Sequence, residues 1–202
     1  MKHEGLITAA QLLGVPLDPQ QADRLAAYEG FVRDRGPALG LVAKGDIPRL
    51  RERHILDSLR AAPVLAEASR DAVDLGSGAG LPGIPLAIAL PDLRIIVTEP
   101  RRQRVAFLEL VVQELGLPNV TVHAGRAEHL PGRWDACLAR AFRGAEASWR
   151  VAAALLRPGG RLVYYAGARF DATHDMPAGV TGTILPSSDL AKSGPLVIMT
   201  RQ

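Results

Sequence analysis

The sequence predicts an α/β fold: a mostly parallel sheet with helices on both faces, an antiparallel strand near its C-terminal end, and a helical cap at the N-terminus. Three observations carry this prediction. From Ala72 onward, short β-branched and aliphatic runs alternate with longer amphipathic ones, the pattern a parallel sheet with crossover helices requires. The first run ends in an acid followed by glycines at alternate positions, Asp74-Leu75-Gly76-Ser77-Gly78-Ala79-Gly80, which sets a tight strand-to-helix turn at the carboxyl edge of the sheet. The last two runs, 180–185 and 196–200, lie too close together for a crossover helix and so form an antiparallel hairpin.

Taken in order, residues 6–13 and 19–35 read as amphipathic helices. Leu25, Tyr28 and Val32 recur at helical spacing, and Gly36-Pro37 stops the second helix. Residues 39–45 are a connection. Asp46 is the expected N-cap of a helix over 47–59, with Pro48 in its first turn, Pro63 interrupting it, and a last turn over 64–68. Strands are expected at 72–75, 94–98, 120–124, 136–139 and 161–165, with helices at 84–90, 101–115 and 145–156. The run Leu155-Leu156-Arg157-Pro158-Gly159-Gly160 reads as a helix end, a turn and then a strand. The chain thus divides into a helical extension, 1–68, packed on a sheet domain, 69–202, in one compact unit.

Composition narrows the class. With 202 residues, 48% of them hydrophobic, the chain can bury a real core and is not disordered. No stretch approaches the roughly 20 apolar residues of a membrane span, and Met1-Lys2-His3-Glu4-Gly5 lacks the apolar run of a signal peptide. One cysteine, Cys137, excludes an internal disulfide framework and a multi-thiolate zinc site, and suits a reducing cytoplasm. His3, His54, His123, His129 and His174 show no metal-ligand spacing, so no metal is expected. Formal net charge is +3, and lysine occurs only at 2, 44 and 192, so 21 of the 24 basic residues are arginine. Guanidinium forks suit phosphates and permit a polyanionic partner, although a genome rich in G and C yields the same bias.

The glycine turn carries the chemistry. A literal G-x-G-x-x-G exists at Gly78, Gly80 and Gly83, but a dinucleotide fold places its first glycine directly after the strand, facing pyrophosphate. Here Asp74 occupies the strand end, where it would repel phosphates and suit a cationic ligand. S-adenosylmethionine, with its sulfonium and ammonium groups, fits better than NAD. Glu99 ends the next strand, 25 residues after Asp74, where a carboxylate can take a ribose diol. Arg126-Ala127-Glu128 follows the third strand, where the backbone of Ala127 and Glu128 can read an adenine.

Three motifs then occur in one family's order and spacing: His54-Ile55-Leu56-Asp57-Ser58-Leu59, Asp74 through Pro85, and Arg140-Ala141-Phe142. In these the chain resembles the small-subunit ribosomal RNA methyltransferase G family, also called glucose-inhibited division protein B, from about residue 6 to the C-terminus. The resemblance implies a class I S-adenosylmethionine-dependent methyltransferase fold (Rossmann-like) and methylation of the N7 atom of one guanine in 16S rRNA, giving 7-methylguanosine. It implies that Gly76, Gly78, Gly80 and the neighbouring Leu81 border the donor, that Glu99 holds its ribose, and that Ala127 and Glu128 flank its adenine. Arg126 and Arg140 match arginines beside the cofactor and the target base, and His54, Asp57 and Ser58 lie at the mouth of the site. The expected partner is 16S rRNA or the small ribosomal subunit, with no membrane, bound by a monomer. Two places depart from the family pattern. Gly40-Leu41-Val42 stands where many relatives have Asn-Leu-Thr, and Tyr165-Ala166-Gly167 replaces Leu-Lys-Gly, so that Arg169 is the candidate substitute for the lysine.

Absences bear on the acceptor atom. Cys137, within Ala136-Cys137-Leu138-Ala139, reads as a small buried hydrophobe rather than the nucleophile that cytosine C5 methylation needs. The Asp/Asn-Pro-Pro-aromatic loop used on exocyclic amines is absent, because Ala139-Arg140-Ala141-Phe142 stands in its place. Guanine N7 presents a lone pair and needs only alignment. Arg140 is expected to orient the guanine or a phosphate, and Phe142 to stack on a base or to serve as core. Arg49, Arg51, Arg53, Arg60, Arg101 and Arg102 are candidate RNA contacts or solvated faces. Three other functions stay open: a small-molecule methyltransferase of this fold, a non-catalytic rRNA-binding assembly factor, and an NAD-dependent oxidoreductase.

Overall fold

A computed structural model describes residues 3–187 and 193–202, so Lys2 and residues 188–192 of the connection between the last two strands, Lys192 among them, lie outside the described residues. Helix α1, Glu4–Leu12, buries Leu6 and Ala10. Helix α2, Pro19–Arg35, begins with a capping box in which the Gln21 amide donates to Asp18 Oδ1 at 2.7 Å and Gln21 Oε1 accepts from the Asp18 amide at 2.9 Å. The same Gln21 side chain donates to the carbonyls of Ile88 and Ala89, so one residue caps the start of α2 and ties it to a second helix.

Residues 44–59 depart from expectation. Instead of one helix capped by Asp46, the chain winds as a 3₁₀ segment, Lys44–Arg49, a π-helical turn, Arg51–Leu56, and a short α3, Asp57–Leu59. Asp46 does not cap it because its carboxylate is taken by Arg53. Helix α4, Ala62–Ala68, carries Pro63 in its first turn, where a missing N–H costs no hydrogen bond. Pro63 therefore opens a helix rather than interrupting one.

The sheet domain follows as β1 Asp71–Asp74, α5 Gly83–Ala89, β2 Arg94–Thr98, α6 Arg102–Leu115, β3 Val120–His123, a 3₁₀ turn Ala127–His129, β4 Trp134–Arg140, α7 Ala145–Leu155, β5 Leu156–Tyr165, α8 Ala172–Asp175, β6 Gly182–Leu185 and β7 Leu196–Thr200. The strand order is β3-β2-β1-β4-β5-β7-β6, with β1 to β5 parallel and β7 antiparallel to both its neighbours. Strand β5 begins directly after α7. Leu156 pairs with Trp134, and the ladder resumes at Ala136 and Arg161, so the expected turn is an irregularity inside the strand. It is held there because the Gly159 amide donates to the Arg201 carbonyl and the Arg201 amide to that of Gly160.

Two hydrophobic clusters cover the sheet. One joins Leu25, Tyr28 and Leu59 of the N-terminal helices with Ile84, Leu86, Leu108 and Val111 of α5 and α6. The other gathers Val73, Cys137, Val151, Leu155, Leu162 and Met199. Burial pushes the Cys137 thiol far up, which keeps it protonated and inert. Among the described residues no helix is long and apolar enough to cross a membrane, and no cluster of His, Cys, Asp or Glu could hold a metal ion. The order of strands reverses between β1 and β4, and a crevice opens at their carboxyl ends.

Candidate active site

The crevice is floored by the glycine turn, and Thr98 at the end of β2 shapes that turn. Thr98 Oγ1 donates to the Asp74 carbonyl at 2.9 Å and accepts from the Gly76 amide at 3.0 Å, while the Thr98 carbonyl accepts from the Ser77 amide at 2.8 Å. Gly78 adopts φ 57° with nothing within 4 Å of where a Cβ would lie, so its backbone faces open space. The Tyr28 hydroxyl donates to the Ala79 carbonyl at 2.8 Å, fastening the turn to the N-terminal cap.

Asp74 is turned beneath this floor. Its Oδ2 accepts from the Gly83 amide at 3.0 Å, and its Oδ1 is buried without a hydrogen-bond partner. Burial pushes the carboxyl up to about 7, against the pull of the Gly83 N–H.

Two cavities flank the turn. The larger, about 500 Å³, has Gly76, Ser77, Gly78, Ala79 and Leu81 on its floor, and Arg53, His54, Asp57 and Arg140 on one wall. Leu41, Arg104, Ala141, Arg143 and the stretch from Tyr164 to Ala168 complete its described lining together with Ser193 and Gly194. The smaller, about 430 Å³, lies between Thr98, Pro100 and Arg101 and the stretch Gly125 to Glu128, with Phe142 and Arg143 beside it. Gly76 and Arg143 line both.

Arg140, at the end of β4, is tied down by its neighbours on the same wall. Its Nε donates to Asp57 Oδ2 at 3.2 Å, and its Nη2 donates to the Arg53 carbonyl at 2.7 Å and meets His54 Nδ1 at 3.2 Å. Asp57 Oδ1 accepts from Arg60 at 2.9 Å, and Arg60 also donates to the carbonyls of Gly194 and Pro186. Burial, with Arg140 beside it, pushes His54 down to about 4, so the ring is neutral near pH 7. The Tyr165 hydroxyl donates to the Ser58 carbonyl at 2.5 Å, and burial with the Asp57 charge nearby pushes that phenol well above its usual value.

Of the residues singled out in the sequence, Gly76, Gly78, Leu81, Arg53, His54, Asp57 and Arg140 line the larger cavity. Arg101, Arg126, Ala127, Glu128 and Phe142 line the smaller. Five line neither. Asp74 points under the turn toward the Gly83 amide. Gly80 is a packing glycine, since a Cβ there would come within 2.4 Å of Ile84 Cγ1 and 3.1 Å of Leu108 Cδ2. Glu99 is 3% exposed, with Oε1 accepting from the Arg101 amide at 2.9 Å and Oε2 3.9 Å from Arg104. Ser58 is fully buried, and its hydroxyl donates to the His54 carbonyl at 2.6 Å. Arg169 is exposed beside Ala168. Phe142 meets the protein on two sides, with its ring against Gly76 and the Arg143 guanidinium 4.7 Å from its centroid. Thr98, Arg104, Arg143 and Tyr165 are site residues that the sequence reading missed. Arg143 follows the Arg140-Ala141-Phe142 motif directly, and Arg104 falls one turn into α6 after Glu99.

The sequence profile of rRNA small subunit methyltransferase G matches residues 21–175. The ribosomal RNA small subunit methyltransferase G of Ralstonia nicotianae is 39% identical over 176 residues, covering 83% of this chain and 79% of its own. The protein of the same name from Corynebacterium efficiens is 41% identical over 170 residues, covering 79% and 68%. Among solved structures, the O-methyltransferase TomG of Streptomyces achromogenes, in complex with SAM, aligns at TM-score 0.61 and 21% identity over 100% of this chain and 99% of that one. A methyltransferase from Geobacter sulfurreducens aligns at TM-score 0.59 and 19% identity over 92% and 89%. These two share the fold. With most of its length matched by the profile, the chain belongs to the rRNA small subunit methyltransferase G family.

Proposed function

We propose that this protein transfers a methyl group from S-adenosylmethionine to N7 of a guanine in 16S rRNA of the small ribosomal subunit, in the cytoplasm. One observation carries the choice of acceptor atom: among the described residues lining the larger cavity, no side chain is free to act as a base. Asp57, the one carboxylate there, has an arginine on each oxygen. His54, the one imidazole, already meets Arg140 with its Nδ1. Tyr165 donates to a carbonyl. A reaction that had to remove a proton from its acceptor would lack an acceptor for that proton. Guanine N7 carries no proton and offers a lone pair.

The residues present fit the donor. Bare backbone at Gly78, clefts on both sides of Gly76 and a buried acid without a partner on one oxygen suit an elongated cationic ligand. When bound, S-adenosylmethionine supplies an electrophilic methyl on its sulfonium. Thr98, Pro100, Ala127 and Glu128 would hold its nucleoside end, with Arg126 beside them, and Gly76, Gly78, Leu81 and Arg140 its amino-acid end. Glu99 would take ribose hydroxyls through Oε2, because Oε1 already serves the Arg101 amide. Arg140 orients the guanine through its oxygen or an adjoining phosphate. Four arginines, Arg53, Arg104, Arg140 and Arg143, line the larger cavity against one carboxylate, Asp57, which suits an RNA strand. The test is labelled methyl transfer to small subunits from a deletion strain, with the modified nucleotide mapped. Label on one guanine N7 is expected, whereas label appearing only on small molecules of an extract overturns the reading.

A further inference from the structure

We propose that His54 and Asp57 are positioning residues, which fix the Arg140 guanidinium so that its Nη1 edge alone is left to meet a ligand in the larger cavity. The inference rests on the methyltransferase reading above and deepens it. A guanidinium has five N–H donors in a rigid fork. In Arg140, Nε is held by Asp57, and Nη2 by the Arg53 carbonyl and His54. None of these hydrogen bonds uses Nη1, and Arg140 lines the cavity.

All three acceptors come from residues 53–57, where the chain leaves a π-helical turn for α3. Single π turns occur often at functional sites, since the wider winding re-aims side chains and carbonyls. This turn is itself fixed. Arg60 holds the second oxygen of Asp57, the Ser58 hydroxyl donates to the His54 carbonyl, and the Tyr165 hydroxyl donates to the Ser58 carbonyl.

The chemistry at His54 admits one arrangement. A guanidinium only donates, so Nδ1 facing Arg140 must present a lone pair. The ring is then neutral with its proton on Nε2, which is buried 3.5 Å from Asp46 Oδ2. Arg140, Arg53 and Asp46 are the charged groups that act on this ring. With its one lone pair taken, His54 serves neither as a base nor as a direct RNA contact. Its effect on the reaction runs through Arg140.

A double-mutant cycle of His54→Leu and Arg140→Ala tests this. The readouts are kcat and KM for labelled transfer to small subunits, with thermal unfolding to show that each variant folds. With Arg140 present, His54→Leu should lower kcat about tenfold, and in the Arg140→Ala background it should change kcat less than about twofold. His54→Gln, whose amide oxygen can accept, should recover part of the loss. Additive effects in the cycle overturn the proposal. A readout that does not need activity is the ¹⁵N NMR titration of His54. The wild type should show the proton on Nε2, and Arg140→Ala should move the midpoint upward from about 4. An unchanged midpoint overturns the positioning role. If wild-type protein labels no small subunit, the functional reading fails and the titration still decides this one. Asp57→Ala leaves Arg60 buried without its carboxylate and risks unfolding, so Asp57→Asn is the variant to compare with the cycle.

Discussion

The ring of Phe142 rests directly on Gly76: a Cβ added to Gly76 would come within 2.7 Å of Phe142 Cδ2 and 3.1 Å of Cε2. The contact joins the first crossover turn to the loop after β4 at the point where the two cavities meet. Arg143 covers the ring at 4.7 Å and pairs with Glu128 at 2.7 Å, so the loop after β3 belongs to the same assembly.

Gly76→Ala should therefore damage the site more than the fold. The added methyl must push Phe142 aside, and φ 66° is strained for alanine. Affinity for S-adenosylhomocysteine, measured by calorimetric titration, should fall at least about tenfold, a loss of roughly 1.4 kcal/mol. Unchanged affinity would show that the Phe142 contact is incidental to donor binding.

Gly80→Ala should do the reverse. Its methyl would meet Ile84 and Leu108 inside the core, and φ is 91°. Overpacking together with the left-handed backbone should cost about 2–4 kcal/mol of stability, read by denaturant unfolding. Gly78→Ala, with open space around its Cβ, should cost only about 1 kcal/mol, the backbone strain alone, while weakening donor binding. The two alanines thus separate glycines kept for packing from glycines kept for the ligand.

Such distinctions mark where sequence reasoning stops. The parallel sheet was legible because burial on both faces imposes continuous apolar runs, and 94–98 matches the observed β2 residue for residue. The hairpin followed from the short gap between its strands. The winding of 44–59 was not legible, because Asp46 has good local capping propensity and a tertiary partner, Arg53, overrides it. Asp74 sits at the strand end where the sequence places it, but period and spacing do not show that its Oδ2 accepts from the Gly83 amide beneath the turn. Arg104 and Arg143 were missed for a related reason, since nothing local distinguishes a cavity-facing arginine in a chain carrying 21 of them.

The burial of Asp74 has a pH signature. Its folded pKa, about 7, lies above the usual carboxylate value, so between about 4 and 7 the folded state holds a proton that the unfolded state has released. Stability from this group is therefore present at low pH, is lost as pH rises toward 7, and levels off above. Asp74→Asn keeps an oxygen for the Gly83 N–H and removes the titration. Its stability should match wild type near pH 4 and exceed it at pH 8 by a few kcal/mol, at about 1.4 kcal/mol for each pH unit between the two pKa values. Denaturant unfolding at the two pH values measures this, and parallel curves would place the Asp74 pKa in the ordinary range. A cationic donor bound above Asp74 should also release a proton near pH 7, seen as a binding heat that changes with the ionisation enthalpy of the buffer.

Arginines at the larger cavity should divide into two classes by their response to salt. Arg104 donates to the Gly40 carbonyl at 2.8 Å and lies 3.9 Å from Glu99, whereas Arg143 is well exposed with only Nη2 held, by Glu128, so phosphate contact is the role open to Arg143. Binding to small subunits should weaken steeply with added salt, because each neutralised phosphate releases a counterion. Arg143→Ala should reduce the slope of log affinity against log salt by about 0.7–0.9. At saturating RNA and saturating donor it should leave the transfer rate within about twofold, since uniform binding is lost without loss of transition-state contact. Arg140→Ala should do the opposite, lowering the saturated rate at least about tenfold with little change in slope, because its hydrogen-bonded fork directs one acceptor instead of adding to a general field. Filter binding across a salt series, set beside single-turnover transfer, separates the two. Equal slopes for wild type and Arg143→Ala would remove Arg143 from the RNA path.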